Sequence, residues 1–148
     1  MARQVSVIGS GREHEAAAEE VGRLLAEHGC VVVTGGLGEV MAAAHRGAKA
    51  VGGTTIAILP GERRDDANPW ADHVVATGVG HARNLAVAAS GDAVIAVGGG
   101  WGTLAEIAFA MRLGRPVAVL DGPLLEDVPR AASPADAVAA VLEALGSR

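Results

Sequence analysis

A doubly wound, Rossmann-like α/β domain, a parallel sheet with helices on both faces, is the fold class this sequence predicts, and three observations predict it. Short β-branched runs alternate with longer Ala-rich stretches of helical period, the pattern of repeated βα units. Aromatic side chains number only two Trp and one Phe, with no Tyr. The core is therefore expected to be small and branched aliphatics, which suit closely packed helices on a buried parallel sheet. Three glycine-bearing turns, Gly9-Ser10-Gly11, Gly35-Gly36-Leu37-Gly38 and Gly98 to Gly102, follow β-branched runs, at the strand ends where such folds gather ligands.

Taken in chain order, Val5-Ser6-Val7-Ile8 predicts a strand over 4–8, and the Ala- and Glu-rich stretch that follows predicts a helix over 13–28. Val31-Val32-Val33 predicts a strand over 31–34, with a helix over 39–50 and a strand over 54–59 after it. The segment Gly61 to Trp70 breaks this rhythm with a charged connection. It reads either as a solvated loop or as a lid whose Trp70 or Arg63 closes over ligand. His73-Val74-Val75-Ala76 is a short strand or an extended loop. A helix over 80–90, a strand over 92–97, a helix over 103–113 and a strand over 116–120 complete the alternation. The final helix, 134–145, has explicit punctuation: Ser133 as N-cap, Pro134 at its first position, Asp136 in its first turn and Gly146 after its end. Right-handed crossovers then predict the order 3-2-1-4-5 for the five main strands. The switch point lies between the strand ending at Gly9 and the strand ending at Val97.

Length and charge narrow the function. A chain of 148 residues, half of it apolar, is the size of one domain, 1–148, with one well-buried core. A net charge of −5 with both signs interspersed argues against nucleic acid, which needs a concentrated basic face. The lone cysteine, Cys30, heads an apolar strand and is expected in the core. The N-terminus enters a strand at once without an apolar signal segment, and no apolar run reaches a membrane span. A cytoplasmic protein that does not engage membranes is the expectation.

The turn Gly98 to Gly102 joins a buried strand to a helix, so its backbone N–H groups and the helix dipole favour a phosphate. The first turn, Gly9-Ser10-Gly11, opens like a dinucleotide fingerprint, but His14 stands where the third glycine belongs and no acidic residue ends the second strand. Both features argue against a dehydrogenase, and the absence of G-x-x-x-x-G-K-[ST] removes the ordinary P-loop ATPase reading. Ser10 with Glu13, and Thr103 with Glu106, have capping-box spacing, so each pair has a helix-starting reading beside a ligand-binding one. Glu106 just inside a glycine-lined cleft is positioned to polarise water or hold a ribose hydroxyl, and Arg83 is the complementary charge. The five histidines, 14, 28, 45, 73 and 81, lack metal-site spacing, so no metal is expected; His81 is the one placed near the cleft. Ser10 and Thr103 lack a G-x-S-x-G elbow, which rejects acyl hydrolysis.

Gly99-Gly100-Trp101-Gly102-Thr103-Leu104-Ala105-Glu106 resembles the P-G-G-x-G-T-x-x-E signature of the LOG ("lonely guy") family. The likeness extends to the opening strand, to Thr34-Gly35-Gly36-Leu37-Gly38 and to Arg83-Asn84. It is nearest to the compact bacterial branch that includes molybdenum-cofactor carrier proteins. The resemblance implies a phosphate cradle on Gly99, Gly100, Gly102 and Thr103, a facing wall of Gly35, Gly36 and Gly38, and Arg83 and Glu106 as catalytic residues. Gly9, Ser10, Gly11 and Asn84 join these as ligand-binding candidates. Two departures stand out: Gly98 replaces the signature proline, which is expected to loosen the turn, and Asn84 replaces the enzymes' lysine, removing a cation beside the phosphate.

The leading expectation is hydrolysis of the N-glycosidic bond of a nucleoside 5'-monophosphate to free base and ribose 5-phosphate, with no cofactor required. The alternative is a non-catalytic carrier or sensor of molybdenum cofactor, a molybdopterin, or of another phosphorylated ligand. A pyridoxal-phosphate lysine decarboxylase is rejected because the only lysine, Lys49, lies late in a helix away from the strand ends. An interaction module without a small ligand accounts for the apolar Ile107-Ala108-Phe109-Ala110-Met111 but not for the glycine turns. That segment, and the resemblance, predict a homodimer or higher homo-oligomer, though the same residues also suit packing on the sheet.

Overall fold

The computed structural model describes residues 1–146. In it β1 (Gln4–Ser10), α1 (Glu15–Glu27), β2 (Val31–Thr34), α2 (Val40–Ala50) and β3 (Thr55–Leu59) form the first half. Then come β4 (His73–Ala76), α3 (Arg83–Ser90), β5 (Ala93–Gly98) and α4 (Trp101–Arg112). The chain ends with β6 (Val117–Leu120), β7 (Arg130–Ala131) and α5 (Pro134–Gly146). The strands make one seven-stranded parallel sheet in the order β4-β3-β2-β1-β5-β6-β7. The expected five-strand order is its centre, with one short strand added at each edge. The ambiguous residues 73–76 are a strand, because β3 offers them a ladder from Ile56 opposite His73 to Leu59 opposite Ala76; β7 was not expected at all.

Period-two alternation divides the core between the two faces. Val5 and Val7 of β1, with Ile95 and Val97 of β5, pack with α1, α2 and α5, whereas Ile8, Val94 and Ala96 pack with α3 and α4. Every residue of β5 is buried, as a central strand covered on both sides requires. Small residues let α1 and α2 touch through their backbones. A Cβ on Gly22 would lie 2.0 Å from the Ala44 carbonyl oxygen, and one on Gly47 would lie 1.9 Å from that of Glu19. Cys30 is buried, and burial pushes its thiol pKa up, so the thiolate is disfavoured.

Helix starts depart from expectation at both glycine turns that flank the switch point. Residues Arg12–His14 form a 3-10 turn ahead of α1, and α4 begins at Trp101. At the far end, Ser133 does cap α5, its Oγ accepting the Asp136 N–H at 3.1 Å. Helix α5 runs through Gly146 instead of stopping before it.

The 61–72 connection is tied down at its C-terminal half. Asn68 N–H donates to the Gly36 carbonyl at 2.8 Å, the Thr55 hydroxyl donates to the Trp70 carbonyl at 2.6 Å, and the Arg46 guanidinium sits 5.2 Å from the Trp70 ring centre. Lys49 donates to the Gly53 carbonyl and to Asp72 at 2.8 and 2.9 Å. It thus lies beside the start of β3, at the opposite end of the sheet from the glycine turns.

Candidate functional site at the switch point

Where β1 and β5 part, their backbones are pressed together. A Cβ on Gly9 would fall 1.9 Å from the Val97 carbonyl oxygen. Just beyond, Gly98 and Gly99 turn the chain with φ of 62° and 117°, a region that L-residues with side chains avoid. Gly98 is therefore not a loosened proline position, since proline fixes φ near −65°. A Cβ there would also lie 2.2 Å from the His14 ring. The turn is a different one, packed against His14.

A cavity of about 290 Å³ opens at this point. Its floor is Val7, Ile8, Gly9 and Ser10 of β1, and one wall is Gly100, Trp101, Gly102 and Thr103 at the start of α4. Gly35, Met41, His81, Arg83, Asn84 and Glu106 close the other sides. No side chain caps α4 and no acidic residue occupies its first turn, so its leading N–H groups and positive dipole end face the cavity. Trp101, at the rim, is 88% exposed.

Two ionisable groups meet here. Glu106 is 8% exposed, without a hydrogen bond or close ion pair. Burial pushes its pKa up to about 7, against the opposing pull of Arg83. Burial lowers the Arg83 pKa, opposed by Glu106. The Arg83 Nε is buried without a hydrogen-bond partner, while Nη1 donates to the Asn84 side-chain oxygen. Arg83 and Glu106 line one cavity, and a guanidinium whose Nε has no partner beside a buried carboxyl leaves donor and acceptor capacity for something else.

Several candidate positions take roles other than those expected. Gly35 makes room for Arg83: a Cβ there would lie 2.8 Å from Nη2. Gly99 stands behind the wall, where a Cβ would meet the Thr103 side chain at 2.3 Å. Thr103 is inside α4 rather than at its N-cap, which is Gly100, so the Thr103–Glu106 capping box does not form. The Ser10–Glu13 box also fails, because no side chain caps the turn after Gly11. Gly11, Gly36 and Gly38 lie outside the cavity wall. The Gly11 N–H donates to Glu39 at 2.9 Å, and that of Gly36 to the Thr34 hydroxyl at 3.0 Å. Neither Trp70 nor Arg63 lines the cavity, and Trp70 lies in the pinned half of the loop.

Sequence reasoning missed His45. It is fully buried on α2, its Nε2 3.2 Å from the Thr34 hydroxyl and its Nδ1 3.3 Å from the Asn68 side-chain nitrogen. The Asn68 amide is oriented by the Trp70 N–H, which donates to its oxygen. Nδ1 of His45 is thus the acceptor and Nε2–H the donor. Burial drives the pKa down to about 4, so the ring is neutral. The one available signal was a histidine inside the Ala-rich buried stripe of α2.

With this geometry in place, residues 2–144 match the SLOG cluster4 family. The chain belongs to the SLOG cluster4 family. It is 48% identical over 125 residues to an uncharacterized protein of Archaeoglobus fulgidus, covering 82% of each chain. The molybdenum cofactor carrier protein of Chlamydomonas reinhardtii has the same fold with a TM-score of 0.90 at 34% identity, over 99% of both chains. The molybdenum cofactor binding protein of Rippkaea orientalis gives 0.89 at 32%, over 99% of this chain and 97% of the other. The resemblance to the LOG superfamily and its carrier branch holds. Among the described residues no helix is long and apolar enough to cross a membrane.

Proposed function

We propose that this chain binds a phosphorylated pterin of the molybdenum-cofactor type and carries it as cargo, without a covalent step. The observation that supports this best is the uncapped start of α4 facing a cavity that the Arg83 side chain also lines. Helix N–H groups and a guanidinium together suit a phosphate. The exposed Trp101 ring at the rim offers a flat apolar face for a planar heterocycle. The full-length likeness to two molybdenum-cofactor proteins supports the same ligand. Arg83 and the α4 amides would hold the phosphate, and Trp101 would cover the ring. The test is titration with purified molybdenum cofactor, followed by Trp fluorescence and by calorimetry. Saturable quenching that is lost in Trp101→Ala, with phosphate-dependent affinity lost in Arg83→Ala, is expected. Absence of saturable binding to the wild-type protein overturns the reading.

Glu106 favours a second reading, hydrolysis of a nucleoside 5'-monophosphate. In that reaction the bond from ribose C1' to the base nitrogen breaks, its electrons leave with the base, and water adds its oxygen to C1' and gives up one proton, which balances the proton the base takes up. Glu106, with its pKa near neutrality, would give the base its proton or stabilise the oxocarbenium-like ribose, while Arg83 holds the phosphate. Free base released by the wild-type protein but not by Glu106→Ala would establish it. No turnover of any monophosphate leaves the carrier alone.

The reading includes residence in the cytoplasm and a homodimer. Exposed Leu85, Phe109 and Met111 on α3 and α4 give it apolar surface. Light scattering that finds a monomer at working concentration removes the dimer.

A further inference from the structure

The first βα turn, where doubly wound domains commonly seat a pyrophosphate, is closed here by the protein's own acidic group. Glu39 reaches from the N-terminus of α2 across to β1, and its carboxylate accepts the Gly11 N–H at 2.9 Å. It does so from a costly backbone position, φ 55° and ψ −124°, of the kind that persists only where surrounding structure enforces it. Independently, the His14 ring fills the space on the other side of the turn. A Cβ on Gly11 would lie 3.0 Å, and one on Gly98 2.2 Å, from its Cδ2, and the Glu13 carboxylate adds a second acidic group at the turn, 2.8 Å from the Gly11 Cβ position. These contacts lie just past Ser10, where the cavity floor ends. The first turn of α4, by contrast, holds no acidic residue, and the one α4 carboxyl that lines the cavity, Glu106, is buried, which disfavours its charged form.

From this contrast we infer that Glu39 is a specificity-determining residue that restricts the site to ligands with a single phosphoryl group, accepted at α4, and rejects a second phosphoryl group at the first turn. A further phosphate there would lose the Gly11 N–H to Glu39 and meet its negative charge. The cavity volume, about 290 Å³, lies at the small end for ligand clefts and agrees with one phosphate and one ring system. The inference deepens the proposed phosphate reading and rests on it for the α4 end alone.

Calorimetric titration of the wild-type chain, Glu39→Gln and Glu39→Gly with inorganic phosphate and with pyrophosphate tests it. Glutamine keeps an acceptor without the charge, and glycine accommodates the positive φ, so at least one variant retains the fold. Pyrophosphate affinity is expected to rise about tenfold in both variants, the scale of one relieved charge contact at partial exposure, with phosphate affinity unchanged. Pyrophosphate binding equally to wild type and variants overturns the role of Glu39, whatever phosphate does. Failure of phosphate itself to bind wild type counts against the α4 reading instead, and the pyrophosphate comparison still decides the role of Glu39.

Discussion

The cavity lies between two strand ends that treat their buried polar groups in opposite ways. On the β2 side, Thr34, His45 and Asn68 satisfy one another and also tie down the backbone of Gly36 and Leu37. On the β5 side, the Arg83 Nε is buried with no hydrogen-bond partner, and the largely buried Glu106 carboxyl meets only the charge of Arg83. A buried polar network that is complete stabilises one conformation, whereas unpaired groups cost stability that only a bound partner returns. Both sides hold titratable groups shifted by burial, His45 on one and Glu106 and Arg83 on the other, so what distinguishes them is whether those groups have partners.

The largest effect expected is on the satisfied side. His45→Ala should destabilise the chain by about 4 kcal/mol, because it opens a cavity and removes one hydrogen bond each from Thr34 and Asn68. Chemical denaturation measures this, and a loss under about 1 kcal/mol breaks the comparison.

Next comes Glu106→Gln, which should stabilise the protein by about 3 kcal/mol above pH 7 and by nothing below pH 4.5. The sign follows from the raised folded-state pKa. The carboxyl contributes fully below its unfolded value, and the contribution is lost as pH rises through about 7. His45 runs the other way, its contribution complete above 6.5 and lost as pH falls through about 4. The two slopes oppose each other between pH 4.5 and 6.5, so wild-type stability should be nearly flat there. Glu106→Gln should instead lose stability on acidification across that window. Denaturation curves at pH 4.5, 6 and 8 check both, and an equal gain at all three would show that Glu106 is not shifted.

A smaller change is expected for Gly98→Ala, about 2 kcal/mol from the positive φ and the contact with His14. Its ligand affinity should fall with it, because the α4 start moves. Gly98→Pro, which restores the LOG signature, should fare worse; a variant with unchanged melting temperature and binding would show that the turn tolerates both conformations. Smallest is Arg46→Ala, about 1 kcal/mol from the Trp70 stacking and the partly exposed Glu19 pair. Cavity affinity should not change, which measures how far the pinned loop is separate from the site.

The strand order was legible because periodicity and right-handed crossovers act locally, and β1 and β5 each carry their pattern in a few residues. The glycine turns were legible as a cluster, but their division of labour was not. Gly35 seats Arg83, Gly36 completes the His45 network and Gly11 is taken by Glu39, and each contact joins residues far apart in the chain. The capping-box spacing of Thr103 and Glu106 misled because helix α4 starts two residues earlier, at Trp101, with an N-cap glycine, Gly100, whose φ and ψ no sequence pattern specifies.

By itself, the sequence determined the alternation of buried strands and helices and the switch point, because these follow from short-range spacing and backbone sterics. Only the tertiary structure decided which buried polar groups are partnered and which are left facing the cavity. Desolvation and hydrogen-bond satisfaction depend on what other strands and helices bring near, and it is these that shift His45 and Glu106 in opposite senses.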